Sequence, residues 1–170
     1  MPTKSKLSVL PKKNDMEIFG GPTSANPESW MPFEFPHSRG TTSPGRQLAG
    51  ELYFFRTKGS GSHTLLTGVW RTSPISPGCD PKTGECRFPW ECPYGDEQIY
   101  VIEGSCTITN NDTGEVRTYK PGDVFSITKG TDTDWVAHGP FFKKFFCITH
   151  SDPTDLDTAS FPILRFADVE

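Results

Sequence analysis

Histidine is scarce in this chain, with four residues in 170, and basic side chains gather no further than pairs such as Lys12-Lys13 and Lys143-Lys144. The net charge is −4. Phosphate neutralisation needs clustered Lys and Arg, so this distribution disfavours nucleic-acid binding. No segment approaches the ~20 apolar residues of a membrane-spanning helix. The start, Met1-Pro-Thr-Lys-Ser-Lys-Leu, is not followed by an apolar stretch of signal-peptide type, and a cytoplasmic protein is expected. Five cysteines, at 79, 86, 92, 106 and 147, are odd in number and scattered. They fit neither a disulfide framework nor a paired zinc motif. In a reducing compartment most are expected as thiols, although the turn-forming run Asp80-Pro-Lys-Thr-Gly84 leaves a Cys79–Cys86 bridge open. Helix-period stretches of useful length are also missing.

Sixteen Gly and sixteen Pro cut the chain into short segments, and thirteen Phe with four Trp supply aromatic bulk. That combination favours an all-β fold with an aromatic core or pocket. Residues 1–48 read as an irregular arm rich in Pro, Gly and Ser. Its apolar residues Trp30, Met31, Phe33 and Phe35 are too frequent for a free tail, so the arm is expected to pack on the barrel or on a second subunit. Residues 49–170 read as one domain. Strand patterns fall at 52–55, 64–72, 87–92, 98–102, 106–109, 116–119, 124–127, 135–137 and 141–149, with one more possible at 161–166. Asn110-Asn-Asp-Thr-Gly114 and Lys120-Pro-Gly-Asp123 are turns.

Two segments carry a family signature. Glu97 is followed after six residues by Gly104, and Pro121-Gly122-Asp123 runs on to Gly130. Around them stand Gly68 and Trp70, Trp90, Asp96-Glu97, Gly130 with Trp135 five residues on, and Lys144-Phe-Phe146. Over about residues 64–149 the chain resembles the cupin superfamily, and within it the (S)-ureidoglycine aminohydrolase-like and ethanolamine-utilisation-like proteins. The resemblance implies a double-stranded β-helix, or jelly-roll barrel, and a homodimer, with the arm as a candidate for exchange between subunits.

Metal-binding cupins use a His-x-His pair, a Glu and a later His. Aligned on this sequence, those positions are Trp90, Cys92, Glu97 and Thr133. Only the Glu is kept, so a metal-free protein is expected. A divalent transition metal held by Cys92 and Glu97 is the alternative. Cys92 reads more simply as a small buried hydrophobe. The remaining histidines, His37, His63, His138 and His150, read as loop or surface residues.

An aromatic pocket is then expected around Glu97, lined by Trp70, Phe88, Trp90, Cys92, Thr133, Trp135 and Lys144. Trp70 and Phe88 read equally well as core. A Glu among aromatics would have a raised pKa and serve as general acid or base. The competing reading is an ion pair with Lys144 or Arg71. Tyr100, out of phase with Glu97, is expected to pack between the sheets. The leading function is a metal-independent enzyme of isomerase, cyclase or lyase type acting on a small organic molecule through Glu97. The alternatives are a non-catalytic ligand-binding cupin and a metal-dependent aminohydrolase-like one.

Overall fold

A computed structural model describes residues 30–37, 45–56 and 64–150. Ten strands and no helix occur among them: β1 (Met31–His37), β2 (Gly45–Arg56), β3 (Thr64–Thr72), β4 (Cys86–Trp90), β5 (Asp96–Glu103), β6 (Cys106–Asn110), β7 (Val116–Tyr119), β8 (Val124–Ile127), β9 (Thr133–Ala137) and β10 (Phe142–His150). They form two antiparallel sheets, one in the order β1-β2-β3-β10-β5-β8 and one in the order β4-β9-β6-β7. The two antiparallel sheets make an all-β sandwich of the jelly-roll kind. The possible strand at 161–166 lies outside the described residues.

Alternation along each strand decides what enters the barrel. On β5, Glu97, Ile99 and Val101 are buried while Gln98, Tyr100 and Ile102 are exposed. On β10, Phe142, Lys144, Phe146 and Ile148 point inward. Register lines these up across the six-stranded sheet. Leu52, Trp70, Lys144 and Val101 share one inner row, and Leu66, Ile148, Glu97 and Ile127 share another. Between them lies the row of Phe54, Gly68, Phe146 and Ile99. There a side chain at Gly68 would meet the Tyr53 carbonyl oxygen and come within 2.8 Å of Phe146 Cζ. Glycine is the residue that lets Phe146 fill the row.

Two expectations are corrected here. Residues 31–37 are not irregular: they form β1, paired antiparallel with β2. Pro32 and Pro36 hid this strand, since proline normally argues against a sheet interior. It is tolerated because β1 lies at the sheet edge. Tyr100 does not pack between the sheets. Glu97 points inward, so a residue three positions on points outward, and Tyr100 is 44% exposed.

Candidate functional site

The inner rows converge on one polar contact. Glu97 and Lys144 are both buried, and Lys144 Nζ donates to Glu97 Oε1 at 2.8 Å. The other carboxylate oxygen, Oε2, accepts from the Trp90 indole N–H at 2.9 Å. The Lys144 ammonium lies 4.2 Å from the Trp135 ring centroid and 5.6 Å from that of Trp70. Those faces add cation–π attraction to the ion pair. Of the two ion-pair partners the sequence left open, Lys144 is the one used. Arg71 instead binds Glu51 at 3.0 Å and lies over the Trp30 ring.

Above the pair is a cavity of about 50 Å³, lined by aromatic and aliphatic side chains together with Glu97 and Lys144. Trp70, Phe88 and Trp90 are in its wall and belong to the hydrophobic core as well. Each is held by packing or a specific bond. Trp70 Nε1 donates to the Ala49 carbonyl at 2.6 Å, and Phe88 sits 5.3 Å from Trp70. Sequence reasoning missed Phe33, Tyr94 and Phe146 among the wall residues. Phe33 comes from β1 and meets Trp90 edge-on at 5.6 Å. Tyr94 follows β4 in a turn and packs on Trp90 at 5.9 Å. Alternation at Met31, Phe33 and Phe35 was the available signal for the first. A turn aromatic such as Tyr94 has no periodicity to betray it.

Three of the expected lining residues lie elsewhere. Trp135 is behind Lys144, stacked on Phe88 at 5.7 Å and 21°. Thr133 is buried and works through its hydroxyl, which donates to the Trp90 carbonyl at 2.6 Å and accepts from Trp135 Nε1 at 3.1 Å. It thereby positions both tryptophans, and its outer side borders a separate polar groove of about 410 Å³ with Arg117, Tyr119 and Thr131. Cys92 lies just past the end of β4, with φ of 47°, and so leaves the strand's alternation. Its thiol contacts the Gly95 carbonyl oxygen at 3.1 Å and is fully buried. Burial, and secondarily the Glu97 charge, push this thiol up to about 12.

The donor set does not fit a divalent transition metal. Trp90 presents an N–H to Glu97, the Thr133 hydroxyl is engaged with Trp90 and Trp135, and Cys92 is held as a thiol away from the cavity. The position beside Glu97 is taken by the ammonium of Lys144. Among the described residues, no three His, Cys, Asp or Glu side chains are grouped to hold a metal. His138, the one histidine whose side chain is described, shares a hydrogen bond with Thr107 at 2.8 Å, away from the cavity.

Residues 82–146 match the family described as the EutQ-like cupin domain. Among solved structures, the chain is similar to a putative ethanolamine utilization protein Q from Salmonella typhimurium. That match has 18% identity and a TM-score of 0.41, and covers 71% of this chain and 96% of that one. A cupin-2 domain protein from Shewanella frigidimarina matches at 17% identity and TM-score 0.41, over 58% of this chain and 79% of that one. The Cnp3 cupin domain of Schizosaccharomyces pombe matches at 12% identity and TM-score 0.45, over 79% and 94%. No curated protein matches the chain. No helix among the described residues is long and apolar enough to cross a membrane. The match to the EutQ-like cupin domain thus spans residues 82–146, from the turn before β4 into β10, and takes in Glu97 and Lys144.

Proposed function

We propose that this chain is a metal-independent small-molecule cupin. Its ligand occupies the aromatic cavity, and Glu97 with Lys144 form the polar floor and exchange protons with it. The observation that supports this reading is the buried carboxylate–ammonium pair at 2.8 Å on an otherwise apolar wall. Such a pair places an acceptor and a donor side by side, as an isomerisation, cyclisation or lyase step requires. The cavity bounds the ligand. A water needs roughly 10–15 Å³ of such volume, so a 50 Å³ cavity takes a molecule of about four heavy atoms without movement of its walls.

Non-catalytic binding is favoured by one feature: both Glu97 oxygens already accept hydrogen bonds from protein donors. Two measurements decide between these readings. Elemental mass spectrometry of protein purified without chelator should find transition metal well below stoichiometry, and a full equivalent would reinstate the metal-dependent alternative. Short-chain carboxylic acids, amines and alcohols are then screened by tryptophan fluorescence, with product formation followed by NMR. Enzymatic function predicts turnover of a bound compound that is lost when Glu97→Gln and Lys144→Met are combined. Binding without product in the unaltered chain assigns the carrier role, and no binding across the panel removes the cavity as a ligand site.

A further inference from the structure

The connection between β3 and β4 holds a second reactive arrangement, independent of the cavity. Cys79 and Cys86 oppose each other in an isolated antiparallel bridge. The Asp80 N–H donates to the Glu85 carbonyl at 2.8 Å, just inside the pair. That bond makes Cys79 and Cys86 a non-hydrogen-bonded pair, the kind whose Cα atoms lie about 4.5 Å apart with side chains closest. Such a separation falls within the roughly 4.4–6.8 Å that a disulfide spans. The turn between them is rigidly built. Gly84 N–H reaches the Asp80 carbonyl at 2.8 Å, and Asp80 Oδ1 accepts from the Lys82 and Thr83 N–H groups at 2.7 and 2.9 Å. The preceding residues are pinned to β2, where the Gly50 N–H donates to the Pro77 carbonyl at 2.7 Å. Both cysteines are thiols here, Cys79 partly exposed and Cys86 fully buried.

We propose that Cys79 and Cys86 are a reversible thiol–disulfide site, with Cys79 as the attacking and Cys86 as the resolving sulfur, exchanging with low-molecular-weight disulfides. The Cys79 thiolate attacks one sulfur of the small disulfide, breaking its S–S bond and releasing one small thiol, which takes a proton from solvent. Cys86 then attacks Cys79 Sγ, and its proton passes to the second small thiolate as that group is expelled. Two protein thiols are oxidised and one small disulfide is reduced to two thiols. The division of roles follows exposure, since a reagent can reach only Cys79. It is reinforced by the proximity of the Cys86 thiol, which lowers Cys79 to about 7 and correspondingly raises Cys86.

The test uses the full chain in oxidised and reduced glutathione, quenched with acid, alkylated and digested with trypsin. The expected product joins the peptides of residues 72–82 and 83–87 through one disulfide, is reversed by excess reduced glutathione, and forms faster in folded chain than in urea. Cys86→Ser should stop at glutathione retained on Cys79, and Cys79→Ser should leave Cys86 unmodified while folded. Glutathione held on Cys79 of the unaltered chain without transfer would overturn the proposal. So would modification of Cys86 in folded Cys79→Ser, no reaction at either cysteine, or cross-linking no faster than in urea. If Cys86→Ser does not fold, the unaltered chain and Cys79→Ser decide the matter.

Discussion

The ion pair between Glu97 and Lys144 shows how one residue's role depends on a partner 47 positions away. Removing one member of a buried pair strands the other charge in low dielectric, which costs about 3–5 kcal/mol. Glu97→Gln alone should therefore lower stability by about that amount in urea denaturation. Combining it with Lys144→Met, which leaves no buried charge, should recover most of the loss. Equal losses in the single and double variants would mean that Glu97 acts by packing alone. The buried thiols give a second test. Burial raises Cys92 and Cys106 from the usual 9.0 to about 12. An acid whose folded pKa is raised contributes stability that is intact below the unfolded value and lost as pH climbs through the folded one. Stability should fall between pH 9 and 12. Cys92→Ala should flatten that fall, measured as urea midpoints across the alkaline range.

Strand by strand, close fit between inner rows sets the cavity. At Gly68 on β3, an added methyl meets the Tyr53 carbonyl and the Phe146 ring. Gly68→Ala should destabilise by about 1–3 kcal/mol through overpacking, visible as a lowered thermal midpoint. An unchanged midpoint would show that both the Tyr53 backbone and the Phe146 ring can yield. At the sheet edge, β1 contributes Phe33 to the cavity wall. Phe33→Ala should open that wall and raise acrylamide quenching of tryptophan fluorescence, since the buried rings of Trp70 and Trp90 line the same space.

Across the molecule, the six-stranded sheet presents an outer row of Tyr53, Val69, Phe145, Tyr100 and Val124 in register. Val124 is 71% exposed at its end, and Tyr53, Phe55 and Phe145 form a run of ring contacts beside it. Residues Trp30 and Phe33 of the arm pack on the barrel of the same chain, Trp30 against Tyr53 and Phe33 against Trp90. A homodimer through this outer face is the expected assembly. Light scattering at micromolar concentration should give twice the monomer mass, and Tyr100→Lys should halve it. A monomer in the unaltered chain would rule the dimer out.

Much of the fold was legible in order along the chain. Strands at 116–119 and 124–127 coincide with β7 and β8, because turn residues bound short runs of β-forming side chains on both sides. Alternation likewise turned Glu97, Trp90 and Phe88 toward one interior. Local pattern failed where the chain departs from plain strand geometry: at β1, where an edge position excuses proline, and at Cys92, where a positive φ breaks the alternation. It also could not choose between Lys144 and Arg71 as the partner of Glu97. Pairing of β10 with both β3 and β5 placed Lys144 inside the barrel and left Arg71 to Glu51. Side-chain direction is a property of neighbouring residues, but which charges meet depends on long-range register, and register exists only once the sheets have assembled.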